Sequence, residues 1–389
     1  MTSPLAGIRV IEAARFITGP YATMLLADLG ATVIKIEAPG QGDPFRSWGG
    51  EGVSPRFLAY NRGKQSVTLD LGHPLGRDAL RRLVQTADVF VENFRPGVTA
   101  RLGIDYPALA AENPRLIYCS ISGFGADGPL AHRPAYDAVG QAVSGLMSLL
   151  VEPNRPHPIG PALSDGLTGL FAAYGILAAL QARERTGHGQ HIQTSMLQAT
   201  VAFLTEPAVH YFQTGEVPDA WTRPRMSQSF GFVAADNRAL VVHLSTLDKF
   251  WRALVYAIGR PELADDPRFA EYGDRVANYA ALHAELSPVF RSRPRADWLA
   301  RLAAADIPCA PVYTLDEVFT DPQARHLGLE VPLPDGRGEH QRTVAPAVAL
   351  AGLPPLGPVP ALGEHTYDVL HAIGYDTDQL EGLRSAGVI

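Results

Sequence analysis

Apolar positions in the first forty residues come as short runs separated by one helical stretch. Residues 8–13 (IRVIEA) predict a buried strand. A turn through Arg15 and Gly19 follows, Pro20 suits a first helical turn, and residues 21–29 read as a helix closed by Gly30. Residues 32–37 (TVIKIE) predict a second strand. Strand, helix and strand in so short a span form a βαβ unit, which requires parallel pairing and a right-handed crossover.

The rhythm continues with strands at 66–71, 88–92 and 116–122 and helices at 75–86 and 107–112. Two long helical stretches are expected at 135–150 and 167–185, then a strand at 191–195 and a helix to about 213. The predicted class is α/β, with a doubly wound parallel sheet. Residues 217–229 are rich in Pro, Arg and Ser without periodicity and read as a linker. Residues 230–235 and 240–244 flank Asp236-Asn237-Arg238 as a hairpin, and helices at 247–258, 277–291 and 296–304 complete a smaller α/β segment. A Pro-rich tail from 323 ends in helices near 367–373 and 376–385.

The chain of 389 residues has 46% hydrophobic and 19% charged positions, enough to bury a large core and to exclude a disordered or fibrous protein. Its net charge of −7 argues against nucleic acid or an acidic membrane as a partner. Lys occurs only at 35, 64 and 249, so phosphate contacts fall to Arg or to backbone N–H groups. Cys119 and Cys309 form no metal or disulfide spacing, which fits a reducing cytosol and a cytoplasmic protein. The most apolar stretch, 167–182, falls short of the ~18–20 residues a membrane span requires.

Most familiar chemistries lack their motifs. Gly19-Pro20 is no GxGxxG, although Glu37 stands where a ribose-binding acid would. There is no phosphate-binding GxxxxGK[ST] loop, no HExxH and no GxSxG elbow, and no metal site is expected. Cys119 sits in an apolar strand and reads as core.

Two segments carry candidate chemistry. Asp165 stands before a long helix of small residues, between Ser164 and Gly166. Its bland role is that of a helix N-cap. Its sharp role is that of a carboxylate nucleophile, kept ionised by the helix dipole. Gly166 and Gly169 are poor helix formers and suit a close approach to the backbone. The second segment is Asn93-Phe94-Arg95-Pro96-Gly97, at the exit of a parallel strand. There Asn93 suits an amide or base edge, Phe94 a ring, and Arg101 a phosphate, against the plainer reading of an ordinary polar loop.

Many short stretches resemble the class III CoA-transferases, the formyl-CoA transferase or CaiB/BaiF type. They include Pro4-Leu5-Ala6-Gly7, Asp28-Leu29-Gly30-Ala31, Asn61-Arg62-Gly63-Lys64, Tyr136-Asp137-Ala138-Val139, Ser164-Asp165 and Thr186-Gly187-His188-Gly189-Gln190. The resemblance covers nearly the whole chain. It implies a large Rossmann-like CoA-binding domain from 1–216 and 323–389, a linker at 217–229 and a small α/β domain at 230–322, with two chains interlocked as a homodimer.

It also implies Asp165 as the catalytic carboxylate and CoA contacts at Leu69, Asn93, Phe94, Arg101 and Tyr136. CoA then moves from an acyl-CoA donor to a small carboxylic acid through aspartyl anhydride and aspartyl-CoA thioester intermediates, with no tightly bound cofactor. The lean is toward succinyl-CoA or another dicarboxylyl-CoA. Oxyanion donors are sought among the amides after Asp165 or in the turn Ile17 to Gly19.

The chain departs from the formyl-CoA enzymes at Ile17, where they carry Gln, and across 225–230, where they carry a glycine-rich flap. Ala38 and Gly72 replace basic CoA contacts of some relatives, for which Arg62, Lys64 and Arg133 are the compensating candidates. The alternative within the family is an α-methylacyl-CoA racemase. It needs a second acid/base opposite Asp165, but Tyr136 replaces its His and its small-domain acid falls near Leu247. A non-catalytic acyl-CoA-binding subunit would keep the CoA contacts without needing Asp165.

Overall fold

Six segments, all but the last largely buried, form one parallel sheet. They are β1 (Arg9–Ala13), β2 (Thr32–Glu37), β3 (Lys64–Thr68), β4 (Val89–Glu92), β5 (Ile117–Ser122) and β6 (His191–Ser195). Their order is β3-β2-β1-β4-β5-β6, every pair parallel. The computed structural model describes residues 2–48, 54–152, 154–245, 247–334 and 341–389, and the Leu247 side chain lies outside that description.

The helices joining these strands are α1 (Thr18–Asp28), α2 (Pro55–Asn61), α3 (Pro74–Gln85), α4 (Val98–Leu102), α5 (Tyr106–Glu112), α6 (Asp137–Val143), α7 (Leu163–Thr186) and α8 (Met196–Phe203). Adjacent strand residues face opposite ways, so β1 feeds two cores. Val10 packs with Val33, Val91 and Cys119 against Ala22 and Leu26 of α1 and Ala172 and Ile176 of α7. Ile11 packs with Ile34 and Phe90 against Leu80 and Leu83 of α3. Burial on both faces accounts for the unbroken apolar runs.

Three local expectations change. The strand expected at 66–71 starts at Lys64, because its register with β2 runs from Val33↔Lys64 to Glu37↔Thr68. The single helix expected over 135–150 ends at Val143, since Gly145 turns left-handed at φ +84° and only a 3-10 turn follows. The helix expected from 167 begins at Leu163 and runs 24 residues, long and apolar enough by length and composition to cross a membrane. Ala172, Ala173, Ile176, Ala179 and Leu180 of that helix are nonetheless buried in the core, which gives its apolarity a packing reason.

The chain separates into two compact units. One comprises Met1–Met147, Pro158–Thr205 and Gly328–Ile389, and the other Ser148–His157 and Glu206–Leu327. After α9 (Thr205–Thr214), the stretch expected as a linker carries α10 (Thr222–Ser227) and runs directly into β7 (Ser229–Val233). The expected hairpin is β7 with β8 (Ala239–His243), antiparallel. The helices α11 (Leu247–Ala257), α12 (Tyr272–Ala277), α13 (Tyr279–Phe290) and α14 (Arg295–Ala304) follow. A third strand, β9 (Cys309–Pro311), is too short to show a pattern in sequence and pairs with β8. Phe230, Phe232, Leu240 and Val242 pack there on Trp251, Leu282, Phe290 and Trp298.

Two short helices, α15 (Leu315–Thr320) and α16 (Pro322–His326), close this unit. The tail rejoins the first unit with the antiparallel pair β10 (Glu330–Leu333) and β11 (Gln341–Val344), then α17 (Thr366–Ala372) and α18 (Thr377–Ser385). Leu370, Leu380, Leu383 and Val388 of this tail enter the same core as α3.

Candidate active site

The strand order reverses between β1 and β4, and open α/β sheets bind ligands in the crevice at such a switch point. Beyond β1 the chain kinks at Phe16, a non-glycine residue with φ +65°. Beyond β4, Asn93 ties this kink to its own strand. Its Oδ1 accepts from the Arg15 N–H at 2.9 Å, and its Nδ2 donates to the Arg15 carbonyl at 2.8 Å and to Thr18 Oγ1 at 3.1 Å. Asn93 is therefore largely committed inside the protein, not free to read an amide or base edge. Phe94 follows with its N–H held by Glu92 Oε2 at 2.8 Å.

Asp165 reaches this crevice because α7 packs closely on α1. A Cβ at Gly169 would lie 2.9 Å from the Thr18 carbonyl oxygen and 3.0 Å from the Tyr21 ring, so only glycine permits the approach. A Cβ at Gly166 would meet nothing, which leaves open space beside Asp165. Gly169→Val is expected to destabilise the fold by about 1–3 kcal/mol through overpacking. Gly166→Ala should be neutral or stabilising by up to about 1 kcal/mol. Urea unfolding of the two variants tests this, and equal losses would refute the packing assignment.

The capping role expected of Asp165 belongs to another residue. Asp165 is the third residue of α7, inside the helix. The N-terminal amides are capped by Asp137 of α6, whose Oδ1 accepts from the N–H groups of Ser164 at 2.9 Å and Asp165 at 3.2 Å. Gln141 Nε2 donates to the other Asp137 oxygen at 2.6 Å. Among the described residues the Asp165 carboxylate has no hydrogen-bond partner of its own. Burial, and then the charge of Asp137, push its pKa up to about 7. The ionising effect expected of the helix dipole is thus outweighed.

Asp165 lines a cavity of ≈ 180 Å³ with Phe16, Ile17, Thr18, Asn93, Phe94 and Tyr136. Tyr136 is 63% exposed and meets the Phe16 ring edge to face at 5.8 Å. Tyr60 lies within electrostatic reach of the site, its phenol raised by burial and by the carboxylates of Asp165 and Asp137, so it stays a hydroxyl donor. Sequence reasoning missed the roles of Asp137, Phe16 and Tyr60. The helix boundary at 163 would have pointed to Asp137, but nothing in sequence spacing marked the other two.

The amides after Asp165 are consumed by the helix, beginning with the Gly166 N–H on the Ala162 carbonyl. In the α1 turn the Phe16 N–H is taken by Asp43. The N–H groups of Ile17, Thr18 and Gly19 have no hydrogen-bond partner among the described residues.

Of the other expected contacts, Leu69 is buried in the core with its N–H on the Glu37 carbonyl, and its side chain does not line this cavity. Arg101 sits exposed in the last turn of α4, also off the cavity. Arg62 and Lys64 are not spare cations. Arg62 forms two hydrogen bonds to Asp28, at 2.9 and 2.6 Å. Lys64 is fully buried on Glu12 at 2.7 Å. Arg133 and Arg95 do line the cavity, exposed and without ion pairs among the described residues. Glu37 accepts from Arg46 and Ser66, which removes it as a ribose ligand. Cys119 is buried in the core, as expected, and the described residues hold no cluster fit for a metal ion.

Residues 5–366 match the sequence profile of CoA-transferase family III. The acetyl-CoA:oxalate CoA-transferase of Acetobacter aceti is 43% identical over 326 residues, 82% of this chain and 83% of that protein. The succinate–glutarate CoA-transferase of Agrobacterium fabrum is 38% identical over 94% of this chain and 95% of its own. A CaiB/BaiF family protein from Brucella suis, known by crystal structure, superposes with a TM-score of 0.85 at 37% identity, covering 96% of this chain and all of its own. A profile match over residues 5–366, with relatives 37–43% identical over most of its length, makes the chain a member of CoA-transferase family III.

Proposed function

We propose that this enzyme moves CoA from a dicarboxylyl-CoA, succinyl-CoA being the leading candidate, to a small carboxylate acceptor, with Asp165 as the nucleophile. One observation carries the reading: Asp137 takes over the helix cap, leaving Asp165, without a hydrogen-bond partner among the described residues, in a cavity also lined by Ile17 and Thr18, whose N–H groups are likewise unpaired there. The two relatives cited above are named for oxalate, succinate and glutarate, all dicarboxylates.

The chemistry balances without a cofactor. Asp165 attacks the thioester carbonyl, the C–S bond breaks, and CoA leaves as thiolate, giving a mixed anhydride. The thiolate attacks the aspartyl carbonyl and releases the donor acid, leaving an aspartyl-CoA thioester. The acceptor carboxylate attacks that thioester and expels the thiolate again. The thiolate then takes the acceptor's acyl group from the new anhydride and frees Asp165. Splitting one displacement this way lowers each barrier. The α1 amides would hold the oxyanions, and removing such a donor costs about 10²–10³ in rate in better-studied acyl transfer. Of the expected CoA contacts, Phe94 and Tyr136 would face the ligand at the cavity, while Asn93 would act through the turn it holds. Arg133 and Arg95 are the cations placed to meet CoA or acceptor anions.

A panel of acyl-CoA donors and carboxylic acids, read by mass spectrometry, tests the substrate class. Incubation with hydroxylamine should convert Asp165 to its hydroxamate only when acyl-CoA is present. A protein that binds acyl-CoA but forms no hydroxamate would be a binding subunit, not this enzyme.

The nucleophile must be ionised, and its pKa is raised to about 7, so activity should climb with pH through the neutral range. Asp137→Asn keeps an oxygen acceptor for the Ser164 and Asp165 amides and removes the like charge. Its acid limb should shift to lower pH in a kcat/KM profile, and an unmoved limb would mean that Asp137 does not tune Asp165.

We also read the enzyme as a homodimer. Leu170, Phe171, Tyr174 and Leu177 of α7 are at least a third exposed in the single chain, an apolar face that a second copy would cover. Light scattering should report twice the 41.8 kDa chain mass, independent of dilution. A 41.8 kDa species at all concentrations would refute it.

A further inference from the structure

Behind the candidate site lies a buried charge cluster that the transfer chemistry does not use. Lys35 Nζ meets Glu12 Oε1 at 2.7 Å and Asp43 Oδ2 at 2.9 Å, while Lys64 Nζ meets Glu12 Oε2 at 2.7 Å. All four side chains are fully shielded from solvent. Buried ion pairs rarely stabilise a protein more than well-packed apolar residues would, so their presence asks for another reason.

Asp43 supplies one. Its carboxylate reaches out of the cluster and accepts the Phe16 N–H at 3.2 Å through Oδ2, while Oδ1 accepts the Phe45 N–H at 2.9 Å. Phe16 is the left-handed residue of the α1 turn, a conformation that bulky residues adopt only when the surroundings hold them there. Its ring is set edge to face against Phe45 at 5.5 Å and Tyr136 at 5.8 Å. From the other side Asn93 fixes Arg15 by both its N–H and its carbonyl. The turn is thereby pinned at two consecutive residues, and the next two, Ile17 and Thr18, line the cavity of Asp165 with N–H groups that have no partner among the described residues.

We propose that Asp43 is a positioning residue for CoA transfer: anchored by Lys35, it clamps the Phe16 amide and so fixes the turn that aims the Ile17 and Thr18 N–H groups at the cavity of Asp165. The inference rests on the reading of Asp165 as nucleophile. Asp43 itself touches no substrate. It acts through backbone geometry, and geometry matters because a donor helps only when it meets the oxyanion without reorganising.

Three variants test this, each measured for kcat, KM, CoA affinity by calorimetry and thermal stability. Asp43→Asn removes the anchoring charge and is expected to lower kcat by about 10–100-fold per folded molecule, with CoA affinity and KM within about threefold. Should Asp43→Asn fail to fold, two variants leave the cluster intact. Phe16→Gly retains the N–H and accepts a φ of +65° freely, whereas Phe16→Pro lacks the N–H and cannot adopt that φ. The kcat of Phe16→Pro should fall at least about 30-fold below that of Phe16→Gly, since both lose the ring but only one loses the clamp. Equal kcat values for the Gly and Pro variants would overturn the proposal. So would an Asp43→Asn enzyme whose lost activity follows only its lost folded fraction. If Asp165→Asn stays active, the nucleophile reading fails, whatever Asp43 does. If Asp165→Asn is dead and the clamp variants turn over normally, only the clamp is wrong.

Discussion

Asp165→Asn is expected to lower CoA transfer by at least about 10³-fold while CoA still binds, because a covalent route has no substitute for its nucleophile. The amide is nearly isosteric, and among the described residues the Asp165 side chain accepts no hydrogen bond. The same change should stabilise the protein. The Asp165 pKa is raised from 3.8 to about 7 by burial and by Asp137, so the folded state resists ionising it. A group raised in this way favours the fold below its ordinary range, and that contribution is lost as pH rises through about 7. At pH 8 the variant should therefore unfold later than the parent, by about 0.5–2 kcal/mol, the usual trade of stability against activity. Steady-state transfer assays and thermal melts at pH 5 and 8 measure both effects. Residual turnover above about one per cent would break the covalent scheme, and a melting difference equal at both pH values would remove the ionisation argument.

Lys35→Met is expected to cost about 3–5 kcal/mol, the penalty of stranding buried charge. Lys35 stands between two carboxylates, Glu12 and Asp43, none of them exposed. Burial alone would raise the Glu12 carboxyl, but the attraction of Lys35 and Lys64 overrides it and holds the pKa at about 2. A lowered carboxylate stabilises the fold above its ordinary value of 4.5, and the contribution is lost as pH falls toward 2. Lys249→Met is the matched control. Its pair with Asp306 has the same 2.7 Å separation, but the two side chains are 61% and 84% exposed, so solvent screens it and little loss is expected. Urea unfolding at pH 7 compares the two, and equal losses would show that burial does not set the strength of these pairs.

Part of the site could be read before the fold. Asp165 stood out as a carboxylate flanked by glycines at a helix start, and Asn93 and Phe94 as the exit of a parallel strand. What each does there could not be read. Whether Asp165 capped its own helix depended on whether another acceptor reached the Ser164 amide, and Asp137 does so from 27 positions away. Arg62 and Lys64 looked like spare cations because sequence does not show that Asp28 and Glu12 lie within reach. Leu69, in the core, and Arg101, exposed on α4, lie off the cavity that Asp165 lines, which spacing alone does not show.

The sequence by itself determined the parallel sheet, since runs buried on both faces and alternating with helices leave few other arrangements. It also marked the hairpin of the second unit, the tail helices, the inert role of Cys119 and the family. Those properties are local, set by periodicity within ten or twenty residues or by motifs of a few positions. The tertiary structure alone decided the chemistry of the crevice. The strand order places the exits of β1 and β4 side by side. Gly169 lets α7 approach α1, Asp137 frees Asp165 from capping, burial and then Asp137 raise its pKa, and Asp43 meets an amide 27 residues earlier in the chain. A carboxylate's reactivity depends on the charges, donors and solvent within a few ångströms of it, and folding brings those together from segments that no spacing in the chain connects.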